Sequence, residues 1–153
     1  MIGEEVDDGY IAELKKQVIH QDSINAVGRD LKIVYSPLHG TGNIPARRIL
    51  KELGFTNVYV VKEQELPDGE FPTVSYPNPE AKEAFELGLK LAKEVDADLI
   101  LATDPDADRL GVYVKDTASG EYKVLTGNMS GCLLADYEIG QRKALTACRM
   151  TDS

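Results

Sequence analysis

An α/β layered fold, with a mixed, mainly parallel sheet of four to five strands flanked by helices, is what this sequence predicts. Three observations predict it. Strand-length apolar runs alternate with amphipathic stretches of helical period, the run Leu99-Ile100-Leu101-Ala102 is apolar without interruption, and the runs near residues 110 and 123 stand close together. Alternation of strand and helix implies parallel strands joined by crossovers. An uninterrupted apolar run marks a buried strand, and the closely spaced pair implies an antiparallel edge.

The elements follow in order. From about Asp7 to Asn25, Ile11, Leu14 and Val18 recur at three-to-four spacing among charged residues, which predicts one amphipathic helix. Leu31 to Tyr35 is a β-type run stopped at Ser36-Pro37. Residues 38–43 make a glycine-containing turn into a second helix, with Ala46, Ile49, Leu50 and Leu53 on one face and Gly54 placed to end it. Val58 to Val61 is the next strand. The connection over residues 64–79 carries Pro67, Pro72, Pro77 and Pro79 and is longer than a strand–helix link needs, a length associated with functional loops. Asn78 is placed to cap a third helix, with Pro79 in its first turn and Ala81, Ala84, Phe85, Gly88, Ala92 and Val95 along one stripe. Leu99 to Ala102, Leu110 to Val114 and Tyr122 to Leu125 are strands, and Asn128 is placed to cap a last helix. Residues 146–153 read as a frayed end.

The chain has 153 residues, enough for one domain with a real core, and its 42% hydrophobic and 28% charged residues are ordinary for a soluble globular protein. A formal net charge of -9 repels nucleic-acid phosphates, so no nucleic-acid partner is expected. Cys132 and Cys148 are too few and too far apart for a disulfide scaffold or a zinc site, and read as reduced thiols. No stretch has the length of a membrane span, and the first eight residues carry neither a positive region nor an apolar core. A cytoplasmic location and no membrane partner are the expectation.

Chemistry concentrates at Asp104, Asp106 and Asp108, which follow the buried run at i, i+2 and i+4. Ligands of open α/β sheets gather outside the carboxyl ends of strands, so the position favours a site. Carboxylates held about 4 Å apart repel by roughly 1 to 4 kcal/mol per pair, so a converged trio calls for a cation or a proton. Hard oxygen donors select Mg²⁺, Ca²⁺ or Mn²⁺, and Arg109 beside them matches phosphate oxygens. An EF-hand is rejected by counting from Asp104, because its sixth and twelfth positions hold Arg109 and Lys115 where glycine and glutamate are needed. The alternative left open by spacing alone is a solvated acidic turn with Arg109 as an internal counter-ion.

Asp104-Pro105-Asp106-Ala107-Asp108-Arg109 resembles the metal loop of the α-D-phosphohexomutases, the phosphoglucomutase and phosphomannomutase superfamily. Four further segments match the family's pattern in order. They are Ser36-Pro37-Leu38-His39-Gly40-Thr41-Gly42, Pro67-Asp68-Gly69-Glu70-Phe71-Pro72-Thr73, Pro77-Asn78-Pro79-Glu80 and Leu125-Thr126-Gly127-Asn128. The resemblance extends to about Ala144 and is strongest to the phosphoglucomutase branch. It implies Asp104, Asp106 and Asp108 as ligands of Mg²⁺, and Arg109 as the contact to the phosphate on an active-site serine. The reaction implied is reversible movement of phosphate between O1 and O6 of a hexose through a bisphosphate, and the partners implied are a hexose phosphate and the other domains of one parent chain.

The same resemblance implies a boundary, with residues 1–126 as the family's second, metal-binding domain and residues 127–153 as the first helix of the third plus a tail. The family's Thr-Ala-Ser-His-Asn-Pro phosphoserine motif does not occur in these residues. The isolated chain is therefore expected to lack mutase activity while its parent has it. A stand-alone divalent-cation or phosphate-binding module is the alternative from another functional class. Among other candidates, Gly40 and Gly42 read as permitting a tight turn rather than cradling a phosphate. His39 reads as a hydrogen-bonded structural histidine, His20 as a surface residue, and Arg47 and Arg48 as solvated. Tyr35, Tyr59 and Tyr113 read as packing residues.

Overall fold

In the computed structural model residues 3–151 are described, with side chains through Thr146. Five strands form one sheet in the order β2-β1-β3-β4-β5. β1 (Lys32–Ser36) lies between two parallel neighbours, with Val34 opposite Tyr59 of β2 (Asn57–Val60) and Ile100 of β3 (Leu99–Thr103). From β3 the chain turns straight back: β4 (Leu110–Lys115) runs antiparallel with Gly111 opposite Ala102. β5 (Tyr122–Leu125) does the same with Val124 opposite Tyr113. The parallel strands thus sit together and the antiparallel hairpin makes one edge, as the spacing predicted.

Helices cover both faces. α4 (Glu86–Val95) and the single 3₁₀ turn before it (Lys82–Phe85) bury Ala84, Phe85 and Ala92 against Val34, Ile100, Ala102 and Tyr113. Gly88 lets the helix approach closely, since a Cβ there would stand 3.2 Å from the Ile100 side chain. Phe85 and Tyr113 stack with ring centroids 4.6 Å apart, and burying a ring of this size contributes about 1.5–3 kcal/mol. On the other face, α1 (Glu4–Lys15) packs against α3 (Asn43–Leu53), and Leu14, Ala46, Ile49 and Thr103 line a small cavity between them. This layer covers less: Ile100 and Ala102 are fully buried while Leu99, Leu101 and Thr103, facing the other way, are half-buried. The apolar run therefore alternates in burial.

Several local expectations are corrected. The first helix is two, α1 and α2 (Gln21–Val27), because the chain turns after Lys15 and lets Val18, Ile19 and His20 turn inward. The β-branched pair at this break has weak helical preference. His20 is half-buried rather than on the surface, with Nε2 2.9 Å from Gln141 Oε1. Asn78 does not cap a helix: its Oδ1 accepts the Glu80 N–H at 2.9 Å, closing a turn of its own, and α4 starts only at Glu86. The last helix, α5 (Gly127–Thr151), is capped by Thr126, whose hydroxyl oxygen accepts the Met129 N–H at 3.3 Å, rather than by Asn128. Its backbone stays helical to Thr151 where fraying was expected, and the Cys148 thiol lies outside the described side chains.

Arg47 and Arg48 are paired rather than free, Arg47 with Glu65 at 2.5 Å and Arg48 with Asp8 at 2.5 Å and Glu52 at 2.8 Å. The end of α3 behaves as read, with Gly54 at φ 117° in the left-handed cap. α5 leaves Met129, Leu133, Leu134, Tyr137 and Ile139 exposed. No helix among the described residues is long and apolar enough to cross a membrane.

Candidate metal centre

The loops that follow β1 and β3 meet at the carboxyl ends of two adjacent parallel strands. From there β1 leads outward to β2 and β3 to β4, so the loops leave in opposite directions, the condition for a ligand crevice in open α/β sheets. Asp104, the first residue after β3, is 1% exposed. Its Oδ1 accepts the Arg109 backbone N–H at 3.0 Å and its Oδ2 accepts Arg109 Nε–H at 2.8 Å. The Ala107 N–H donates to the Asp104 carbonyl at 3.0 Å, and Ala107 takes a left-handed φ of 60°. The segment is thus a closed turn wrapped around a buried carboxylate. Asp106 and Asp108 stand exposed on its rim, and one carboxylate oxygen from each of the three lies within 4.8 Å of the others.

Electrostatics bear out the crowding. Burial pushes the Asp104 carboxyl up, but hydrogen bonds from the Arg109 backbone and guanidinium outweigh it and hold the group below the usual range. Asp108 is held above the usual range, first by its contact with Asp104 and then by the charges of Asp106 and Asp104. Arg109 thus stands on Asp104 as an internal counter-ion, while the carboxylates of Asp106 and Asp108 remain exposed. The trio could hold a divalent cation.

The turn after β1 serves as the seat of this loop. Thr41 donates twice to the Pro105 carbonyl, from its backbone N–H at 2.8 Å and its hydroxyl at 3.0 Å. A Cβ on Gly40 would stand 2.5 Å from Pro105 Cα, and one on Gly42 would stand 2.8 Å from Thr103 Oγ1. The glycines are there for close approach to the aspartate loop. The reading that they permit a tight turn is corrected, because the left-handed positions of that turn are Leu38 at φ 45° and His39 at φ 59°. His39 is structural as expected: it is buried, with Nδ1 3.2 Å from the Leu66 carbonyl and Nε2 2.9 Å from Thr73 Oγ1.

All four residues singled out by spacing therefore share one loop. Arg109 reaches Asp104 through Nε, and Tyr76, from the long proline-rich connection, lies beside the guanidinium. Tyr76 was not foreseen, because a lone tyrosine in an irregular segment carries no periodic signal. A cavity of about 540 Å³ lined by Arg47, Arg48, Lys51 and Phe55 lies beside the β2 edge, away from the aspartates.

Comparison with known proteins agrees with the α/β fold. The family model described as "Phosphoglucomutase/phosphomannomutase, alpha/beta/alpha domain II" matches residues 8–120. A "Probable phosphomannomutase" of Haemophilus influenzae is 40% identical over 159 residues, covering 100% of this chain and 31% of that protein. A phosphoribomutase of Saccharomyces cerevisiae is 42% identical, covering 89% of this chain and 23% of its own length. A phosphoglucomutase of Staphylococcus saprophyticus is 44% identical, covering 85% and 22%. Among solved structures, a phosphoglucomutase/phosphomannomutase family protein from Burkholderia thailandensis aligns with a TM-score of 0.53 at 30% identity, over 76% of this chain and 22% of that one. The chain thus spans less than a third of the length of these relatives.

Proposed function

The chain belongs to the phosphoglucomutase/phosphomannomutase family, as its α/β/α second domain, and from that premise we propose that residues 104–109 form the Mg²⁺ and phosphate grip of a phosphohexomutase. The observation that carries the proposal is the convergence of three carboxylates within 4.8 Å at the carboxyl end of a central strand, with a guanidinium anchored on the innermost one.

The donor set fits the ion. All three donors are hard oxygens, the class of ligand Mg²⁺ takes, and Asp106 and Asp108, being exposed, would be free to turn toward an ion held at the buried Asp104. When bound, the ion supplies positive charge that orients and neutralises a phosphate. The chain's own residues do the rest. Asp104 is held rigid by Arg109 and still has a lone pair on each oxygen. Using Nε for Asp104 leaves both terminal nitrogens of Arg109 to grip phosphate oxygens. Phosphoryl transfer is mostly positioning and charge stabilisation, and these groups serve both.

The parent reaction is interconversion of hexose 1-phosphate and hexose 6-phosphate in the cytoplasm, with residues 1–126 as the metal-binding domain and residues 127–153 opening the next. Two observations support that boundary: the family match stops at residue 120, and α5 exposes an apolar row that an adjoining domain of the same chain would cover. In the parent enzyme, glucose 1-phosphate turnover falls by orders of magnitude in Asp106→Asn, and Arg109→Lys, which keeps charge but not the fork, is also impaired. Turnover by the purified 153-residue chain, lost in Asp106→Asn, would overturn the assignment of the phosphoserine to another part of the parent. Ribose 1-phosphate is the second substrate to assay, since one relative is named a phosphoribomutase.

A further inference from the structure

The aspartate loop is seated on a turn whose own shape needs explaining. Leu38 and His39 are consecutive non-glycine residues in the left-handed region, a conformation that persists only where its surroundings over-determine it. A chain of hydrogen bonds beneath the turn does so. The Leu38 N–H donates to Ser36 Oγ at 3.1 Å, the Ser36 hydroxyl donates to Gln64 Oε1 at 2.7 Å, and Gln64 Nε2 donates to Thr73 Oγ1 at 3.1 Å. Thr73 Oγ1 lies 2.9 Å from His39 Nε2, and His39 Nδ1 lies 3.2 Å from the Leu66 carbonyl.

A carbonyl only accepts, so Nδ1 carries a hydrogen, and in that tautomer Nε2 accepts from the Thr73 hydroxyl. Thr73 already accepts from Gln64, so every member passes one bond the same way. Gln64 is 0% exposed, Ser36 2% and His39 6%, so three members of the chain are shielded from water, while Thr73 is half-buried. Backbone bonds clamp the same residue: the His39 N–H donates to the Gln64 carbonyl at 2.9 Å and the Asp68 N–H to the His39 carbonyl at 3.2 Å. Two residues further on, Thr41 holds Pro105 between Asp104 and Asp106.

We propose that Thr73 is a positioning residue for the aspartate centre. Its hydroxyl fixes His39, and through the turn it sets where Thr41 holds Pro105, and so the spacing of the carboxylates. The inference rests on the reading that those carboxylates hold a divalent cation, and its test separates the two. Thr73→Val removes the hydroxyl at nearly constant volume, leaving Gln64 Nε2 and His39 Nε2 without a partner, while Thr73→Ser keeps the bond. Tyr122→Phe is the control. It deletes a hydroxyl bonded to the Ala92 and Ala97 carbonyls at 2.9 and 2.6 Å, on the strand residue that pairs with Lys115 at the far end of β4.

Mn²⁺ binding to the 153-residue chain, followed by paramagnetic broadening of the loop amides, is expected to weaken about tenfold in Thr73→Val. It should stay near the parent value in Thr73→Ser and Tyr122→Phe. Hydrogen exchange of the Thr41 amide should accelerate in Thr73→Val while the amides of β1 and β3 keep their protection. Should Thr73→Val not fold, His39→Asn, whose amide still reaches toward Leu66 but falls short of Thr73, reads the same link. Unchanged Thr41 protection in the folded variant, or equal weakening in Tyr122→Phe, overturns the inference. Absence of Mn²⁺ binding in the unmutated chain overturns the cation reading instead, and Thr41 exchange still decides the role of Thr73.

Discussion

Replacing Gly40 by alanine tests the seat of the aspartate loop. The added methyl would stand 2.5 Å from Pro105 Cα, 2.7 Å from the Pro105 carbonyl oxygen and 2.8 Å from the Pro37 carbonyl oxygen, all of them backbone atoms. No flexible side chain can yield, so reaching an ordinary contact of 3.4 Å moves Pro105 by roughly 1 Å. Overpacking of this kind costs about 1–3 kcal/mol. Weakening the two bonds from Thr41 to the Pro105 carbonyl adds about 0.5–1.5 kcal/mol for each. A loss of about 2 to 6 kcal/mol lowers the melting temperature of a domain this size by roughly 4–24 °C, at about 2–4 °C per kcal/mol. The displacement is also half of a ~2.1 Å Mg²⁺–oxygen distance, so cation affinity should fall by about 10–100-fold. Thermal denaturation and a Mn²⁺ titration of the same sample read both effects. Gly69→Ala, in a loop where the new methyl meets nothing within 4 Å, is the control. A Gly40→Ala chain with the parent melting temperature and affinity would refute the close-packed seat.

Other predictions are more local. Phe85→Ala removes the ring that stacks on Tyr113 beneath α4 and should cost about 3–5 kcal/mol, a large share of a marginal domain's stability, read as a lower urea midpoint. Gly9→Ala on the exposed face of α1 meets nothing and should stabilise by about 0.5–1 kcal/mol, seen as a higher melting temperature. Glu83 accepts from the Ser75 hydroxyl at 2.6 Å and the Ser75 N–H at 2.8 Å, and the hydroxyl foremost holds its carboxyl below the ordinary 4.5. Its folded value being depressed, its contribution is complete above 4.5 and lost as pH falls through the lowered value. Urea midpoints of Glu83→Gln should therefore lack that part of the acid-limb decline.

Much of the architecture was legible because it depends on local pattern. β1 to β5 fall where apolar runs and their breakers put them, and Gly54 ends α3 because a left-handed cap suits a residue without a Cβ. The aspartate loop stood out because three carboxylates at two-residue spacing after a buried strand are costly without a purpose. Features set by tertiary contact were not legible. The break after Lys15 depends on Val18 to His20 turning inward. Asn78 closed its own turn instead of a helix, a choice its side chain makes equally well in either setting. Leu38 and His39 adopt a backbone that glycine would suggest, while Gly40 and Gly42 serve packing across to a segment more than sixty residues away. The hydrogen-bond chain through Gln64 and Thr73 joins residues with no spacing in common.

The most direct test of the account is a Mg²⁺ titration of the chain followed by amide NMR. Saturable shifts confined to residues 104–109 and the Thr41 turn packed on them, abolished in Asp106→Asn while that variant stays folded, are the predicted result. No shift at millimolar Mg²⁺, or shifts that persist in Asp106→Asn, would contradict the claim that these aspartates form a cation site.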